Sequence, residues 1–135
     1  YREWQYWSED PEVQPEKRMF RTPDTYGFMT ACFKPVKGFD IDLSGTYTGP
    51  MLVQHMAGYI ERDRAEMTSA FFDLGVKLSY DFSIYKQIRM KVYGGVQNLF
   101  NAYQRDFDQG PDRDSGYVYG PSLPRTWMVG AKVSF

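Results

Sequence analysis

Apolar side chains recur at every second position over much of this chain. Trp127, Val129, Ala131, Val133 and Phe135 alternate with Thr126, Met128, Gly130, Lys132 and Ser134. That is the pattern of a strand with one apolar face and one mostly polar face. Ile88, Met90, Val92, Gly94 and Val96 alternate in the same way with Arg89, Lys91, Tyr93, Gly95 and Gln97. Phe72, Leu74, Val76, Leu78, Tyr80 and Phe82 oppose Asp73, Gly75, Lys77, Ser79 and Asp81, and Phe39, Ile41, Leu43, Gly45 and Tyr47 oppose Asp40, Asp42, Ser44, Thr46 and Thr48. From Tyr26 to Phe33 the alternation is weaker, but aromatic residues and other strand formers remain. Residues 1–7, rich in Tyr and Trp, read as the end of a preceding strand. No stretch carries a convincing helical period, so the fold class is all-β, an antiparallel up-and-down meander of five or six strands.

The predicted connections alternate in length. Residues 34–38 and 83–86 form short turns, the first with the Pro and Gly that a hairpin favours. Residues 8–24, 49–67 and 98–124 form long segments. Short turns at one end and long loops at the other is the rule of outer-membrane barrels. The apolar faces add a second signal. Phe39 and Tyr47, Phe72 and Tyr80, and Trp127 and Phe135 each stand eight residues apart and bracket small or aliphatic positions. Eight residues span about 26 Å along a strand. A tilt of about 40° reduces this to about 20 Å, near the apolar band between the aromatic girdles of a membrane barrel. The alternative is that aromatics are favoured in strands and fill a closed soluble core.

Composition bounds the remaining choices. The chain has 135 residues, the length of one ordinary domain. It opens at Tyr1 rather than Met, which sets the expectation of a fragment or processed product. Sixteen basic and 17 acidic residues nearly cancel, which argues against nucleic acid as a partner. One Cys and one His exclude an internal disulfide and a structural zinc site. Cys32, inside a predicted strand, reads as a small apolar packing residue. The longest apolar runs reach five residues, far short of the about 20 of a membrane helix. The residues from Tyr1 onward do not have the pattern expected of a signal peptide. A mean hydropathy of −0.55 beside 18% aromatic residues also suits a membrane barrel, in which half of each strand faces a polar lumen.

Gly94-Gly95-Val96-Gln97-Asn98-Leu99-Phe100-Asn101, followed by Tyr103, resembles the penultimate-strand signature of TonB-dependent outer-membrane receptors. The stretch from Pro124-Arg125-Thr126 to Phe135 resembles their closing strand, and Tyr47-Thr48-Gly49-Pro50-Met51 also fits that family. The resemblance implies an outer-membrane location and makes residues 1–135 one C-terminal segment of a barrel of roughly 22 strands with a plugged lumen. It implies that Trp127, Val129, Val133 and Phe135 form the signal read by the barrel-assembly machinery, with Phe135 on the periplasmic side. The turns 34–38 and 83–86 then lie in the periplasm and the long segments become surface loops. The plug domain and the earlier strands are absent from this sequence, so the segment is expected not to transport alone. The polar faces with Asp40, Asp42, Asp73, Lys77, Arg89, Lys91 and Lys132 would line the lumen and meet the plug, which an inner-membrane energy-coupling complex moves in the full-length protein. Transport would serve a scarce small-molecule nutrient, with iron chelates, haem, cobalamin and glycans all open. The two rivals are a soluble β-barrel or sandwich that binds a small molecule, and a porin or adhesin fragment. An isolated segment would leave two strand edges open, inviting pairing between copies.

The remaining candidate chemistry lies in the predicted loops. Trp7, Tyr117 and Tyr119 are amphipathic anchors suited to ligand contact, and Arg113 and His55 are further ligand-facing candidates. His55 with Met51 and Met56 nearby raises haem or metal capture, although a lone loop His is usually unliganded. Asp106, Asp108, Asp112 and Asp114 offer the oxygen ligands that calcium needs, but their spacing is not that of an EF-hand loop. The bland reading is a solvated turn. A Ser-His-Asp set cannot be assembled convincingly around one His, and Gly94-Gly95 opens no helix that would cradle phosphate. No cofactor and no enzymatic activity are expected.

Overall fold

A computed structural model describes residues 3–135. The alternating segments form strands, and the described chain is all-β: β1 (Tyr26–Val36), β2 (Phe39–Thr48), β3 (Leu52–His55), β4 (Arg64–Met67), β5 (Phe71–Tyr85), β6 (Ile88–Gln97) and β7 (Thr126–Ser134). Five of them form an antiparallel sheet in the order β1-β2-β5-β6-β7, while β3 and β4 pair as a separate hairpin. The short turns are tighter than the sequence pattern suggests. Strand pairing continues to Val36 and Tyr85, leaving Lys37-Gly38 and Lys86-Gln87 as two-residue turns. The segment 49–67, read from sequence as a plain loop, contains the hairpin β3–β4. Of the proposed strand over residues 1–7, Tyr1 and Arg2 lie outside the described residues, and the rest contributes only an isolated bridge between Gln5 and Glu16.

The chain divides into two units. The sheet unit comprises Gly27–Tyr47, Phe71–Tyr103 and Pro121–Phe135. Its register makes the apolar residues of neighbouring strands coincide. Val76, Val96 and Trp127 form one cross-strand row, followed by Leu78, Gly94 and Val129, then Tyr80, Val92 and Ala131, then Phe82, Met90 and Val133. The other face alternates with these rows and holds Asp81, Lys91 and Lys132 in one of its own. There Lys91 bridges Asp81 at 3.3 Å and Asp40 at 3.6 Å. A slip of one residue would exchange the faces. At one end of the apolar face Phe39 and Tyr80 lie 6.5 Å apart, and at the other Phe72 and Phe100 lie 6.2 Å apart.

The aromatic brackets are staggered between strands. Trp127 is level in the ladder with Val76, four residues along β5 from Phe72. Strands about 4.8 Å apart and tilted about 45° require a level line to shift about 1.5 residues per strand, or about three over two strands. The observed stagger is of that size.

The sheet unit has little enclosed core. Phe71 and Val96 are its buried apolar side chains, while Leu78, Tyr80, Val92, Trp127, Val129 and Val133 are exposed. On the polar face the Tyr93 ring packs against Gly130, and an added Cβ would fall 2.3 Å from the ring. The Lys77 ammonium sits 5.2 Å from the same ring's centroid. Ser79, on the other side of Tyr93 in this row, is buried.

The loop unit comprises the segments up to Tyr26, Thr48–Ala70 and Gln104–Gly120. Leu52, Val53, His55, Thr68, Gln104 and Tyr117 are its buried side chains among the described residues. Half of these are strongly polar, so hydrogen bonds must satisfy what burial takes from water.

The turn between β1 and β2 docks on β5. Gly38 has φ 84°, its carbonyl accepts the Asp81 N–H at 2.6 Å, and an added Cβ would meet the Asp81 carbonyl oxygen at 2.5 Å. Gly38→Ala therefore costs the about 1–2 kcal/mol of left-handed backbone and must also displace β5. Gly27→Ala, with nothing within 4 Å of the new methyl, is neutral or stabilising by at most about 1 kcal/mol. Urea unfolding of the two variants checks the contrast. Equal midpoints would mean that the turn does not dock on β5.

Candidate functional site

The long connection after β6 is fixed by one asparagine. Asn98 is buried at φ 49°. Its N–H donates to the Asp73 carboxylate at 3.1 Å, and its Nδ2 donates to the carbonyls of Ala102 and Leu123, both at 2.9 Å. Its Oδ1 accepts the Ala102 N–H at 2.8 Å. Asn101, at φ 52°, donates its N–H to the Asn98 carbonyl at 2.8 Å and accepts the Arg125 N–H through Oδ1 at 3.0 Å. Asparagine tolerates the left-handed region and hydrogen-bonds the backbone locally, so both positions suit it. The Asn98-Leu99-Phe100-Asn101 stretch thus ends β6 and joins both ends of the connection to β7.

In the loop unit the segment after Tyr103 folds on its own side chains. Gln104 behaves as a substitute strand: its Nε2 donates to the Tyr117 carbonyl at 3.0 Å and its Oε1 accepts the Tyr119 N–H at 3.1 Å. Arg21, at φ 56°, donates through its guanidinium to the carbonyls of Gly116 and Val118 and through its N–H to the Leu52 carbonyl at 2.7 Å.

These contacts frame a polar cluster around the buried side chains of His55 and Tyr117. The His55 ring stacks on Tyr117 with centroids 3.8 Å apart and planes 5° from parallel. Its Nε2 lies 2.8 Å from the Asp108 carboxylate. Its Nδ1 is buried with no hydrogen-bond partner, 3.5 Å from Glu66. The Tyr117 hydroxyl donates toward Asp106 at 2.6 Å and lies 3.2 Å from Glu66, and the Tyr119 hydroxyl donates to the other oxygen of Asp106. Burial pushes the Asp106 carboxyl up, but hydrogen bonds from Tyr117, Tyr119, its own backbone and Gln104 outweigh it and hold the carboxyl below the usual aspartate range. Burial first, then the Asp106 hydrogen bond, pushes both phenols above the usual tyrosine value.

Comparison with protein-family models, curated proteins and solved structures finds no match.

His55 and Tyr117, two of the candidate ligand-facing residues, are both buried, and stacking and carboxylate partners brace the loop unit through them. Tyr119 is half-buried and tied to Asp106. Trp7 is half-buried, with its Nε1 donating to the Gln14 carbonyl at 3.3 Å and its ring edge-to-face with Phe20 at 5.4 Å. Arg113 is exposed. The calcium candidates do not converge. Asp106 accepts from two phenols, Asp108 faces His55 and accepts the Asp114 N–H, Asp114 accepts the N–H groups of Met56 and Gly116, and Asp112 is exposed. Among the described residues no three His, Cys, Asp or Glu side chains gather where a metal ion would sit. The side chains of the assembly-signal set, Trp127, Val129, Val133 and Phe135, are all exposed, Val129 at 91%. Gln104, Glu66 and Arg21 had no signal in the sequence, because each acts on partners far away in the chain.

The Asp106–Tyr117–Tyr119 network sets the pH range of the loop unit. Asp106, held low when folded, contributes stability that is complete above the ordinary aspartate value of about 3.9 and is lost as pH falls through its folded value. The two phenols, raised when folded, contribute stability that is complete below about pH 10 and declines as pH rises beyond it. Tyr117→Phe leaves Asp106 one donor short and costs about 1–3 kcal/mol near neutrality. Urea unfolding across the pH range, with phenolate absorbance as a second readout, tests this. Unchanged stability in the variant, or titration of every tyrosine in the folded wild type near the ordinary value, would refute the network.

Proposed function

We propose that this chain is the C-terminal, barrel-closing part of a TonB-dependent outer-membrane receptor that takes up a scarce small-molecule nutrient. The observation that carries this reading is the apolar face of the sheet unit, continuous across β5, β6 and β7, exposed at most of its side chains, and bounded by aromatic clusters at both ends. Covering one such side chain gains about 1.5–3 kcal/mol, so six of them represent about 10 kcal/mol or more, as large as the net stability of an ordinary domain. Water is a poor solvent for this surface and lipid a good one. The stagger of the aromatics, with the size that inclined strands require, supports the same reading.

The strand order supports it further. In an antiparallel meander both two-residue turns leave one end of the sheet and both long connections the other, as in outer-membrane barrels. The exposed outer edges of β1 and β7 need further strands of a barrel to complete their hydrogen bonding. In this reading the barrel-assembly machinery recognises β7, the polar face with Lys91, Asp40 and Asp81 lines the lumen against a plug domain, and an inner-membrane complex supplies the energy. A closed soluble sandwich would need a second layer over Val129 and Trp127, which stand exposed.

Fractionation of the source cells tests the location: an antibody to this segment should detect an outer-membrane band that shifts on heating, and a soluble band would reject the reading. A substitution separates lipid from water directly. Ala131 is exposed midway between Trp127 and Phe135. Ala131→Arg should cost about 2–4 kcal/mol in folding measurements in lipid vesicles, because a cation meets the apolar band there. On a water-facing surface the same change would stay within about 0.5 kcal/mol.

A further inference from the structure

We infer that the loop unit holds a binding cleft for a small organic cation, an ammonium or guanidinium attached to an apolar or aromatic body. The inference names a ligand class for the proposed receptor, and its biological meaning rests on that reading. The cleft is open, with a volume of about 810 Å³, and it lies wholly between the segments around Trp7–Glu16 and Tyr59–Ala65. Small-molecule sites have this size. Two aromatic rings line it. Trp7 is held in place by its bond to Gln14 and its contact with Phe20, whereas Tyr59 is 54% exposed. An indole already held in place loses little further side-chain freedom when a cation settles against its ring. The same unit already shows the interaction, with the Lys17 ammonium 4.6 Å from the ring centroid of Trp4.

The charges around the rings are unevenly compensated. Arg62 is paired with Glu12, and Arg64 lies 3.8 Å from Glu66. Asp63 accepts the Ser8 hydroxyl at 2.5 Å and the Ala57 N–H at 2.7 Å, hydrogen bonds that hold its carboxyl below the usual range and so keep it charged. Glu16 and Glu61 make no ion pair among the described residues. Both cations of the cleft are therefore matched, while Glu16, Glu61 and Asp63 leave an excess of negative charge beside two rings. The wider unit has the same sign: its segments contain 13 carboxylate residues and eight Lys or Arg. An anionic ligand would meet repulsion here, a neutral one would gain only the rings, and an organic cation gains both.

The test uses the whole chain folded in nonionic detergent, with benzyltrimethylammonium as the probe and benzyl alcohol and benzoate as neutral and anionic controls. Calorimetric titration should show binding of the cation, at least tenfold weaker binding of either control, and weakening with added salt. The double substitution Glu16→Gln with Glu61→Gln should reduce cation affinity at least tenfold. Tyr59→Ala, at an exposed ring, should reduce it severalfold without disturbing the fold. Equal binding of cation and benzyl alcohol, no binding by the folded wild type, or full affinity in the double variant would each overturn the assignment. Fractionation of the native protein is read separately. Cation binding by a protein found in the soluble fraction would keep the cleft and reject the receptor, and a heat-shifting membrane protein without cation binding would do the reverse.

Discussion

The register between β5, β6 and β7 is the constraint from which the rest of the sheet unit follows. It aligns Val76 with Val96 and Trp127, and every second row below repeats the apolar alignment. Because side chains alternate with a period of two, the same register gathers Asp81, Lys91 and Lys132 on the opposite face. Two close fits hold the alignment. The Tyr93 ring occupies the space that a side chain at Gly130 would fill, and the docked turn at Gly38 ties the first hairpin to β5. One sheet thereby acquires one apolar and one polar surface.

In the irregular segments, side-chain amides take over the work that strand pairing does elsewhere. Asn98 satisfies four hydrogen-bonding groups at the end of β6, and Gln104 pairs with the backbone of residues 117 and 119 as a neighbouring strand would. Long connections without secondary structure leave backbone groups unpaired, and burial makes each such group costly. Buried amides with both donors and acceptors are the economical remedy, since one residue serves several backbone partners. The His55 cluster applies the same logic to side chains, with stacking on Tyr117 adding rigidity.

The near-neutral net charge conceals a separation. The sheet unit's segments carry eight Lys or Arg and four Asp, whereas those of the loop unit are dominated by carboxylates. The total of −1 is therefore a poor guide to what either part attracts. The acidic side chains of the loop unit also divide by role. Asp106, Asp108 and Asp114 are consumed in bracing the fold, whereas Glu16 and Glu61 remain available at an open cleft.

The sequence alone determined the strands of the large sheet, because period-two alternation is a local property that burial and backbone geometry impose residue by residue. β2, β6 and β7 were legible almost to their ends, and so was the exposed, aromatic-bracketed face, since side-chain direction follows directly from strand position. β1 was less distinct because it carries aromatics on both faces, Tyr26 and Phe28 on one and Phe33 on the other. Only the tertiary structure decided the rest. The hairpin β3–β4 consists of four-residue strands, Leu52–His55 and Arg64–Met67, too short to show a period, and they exist because each completes the other's hydrogen bonds. The sequence placed His55, Tyr117 and the aspartates in loops but gave no hint that a ring stack would bury the first two, or that Asp106 and Asp108 would become partners of Tyr117, Tyr119 and His55. Gln104 and Arg21 were silent for the same reason. Their partners lie up to 97 residues away, and contacts between distant segments leave no periodic trace along the chain.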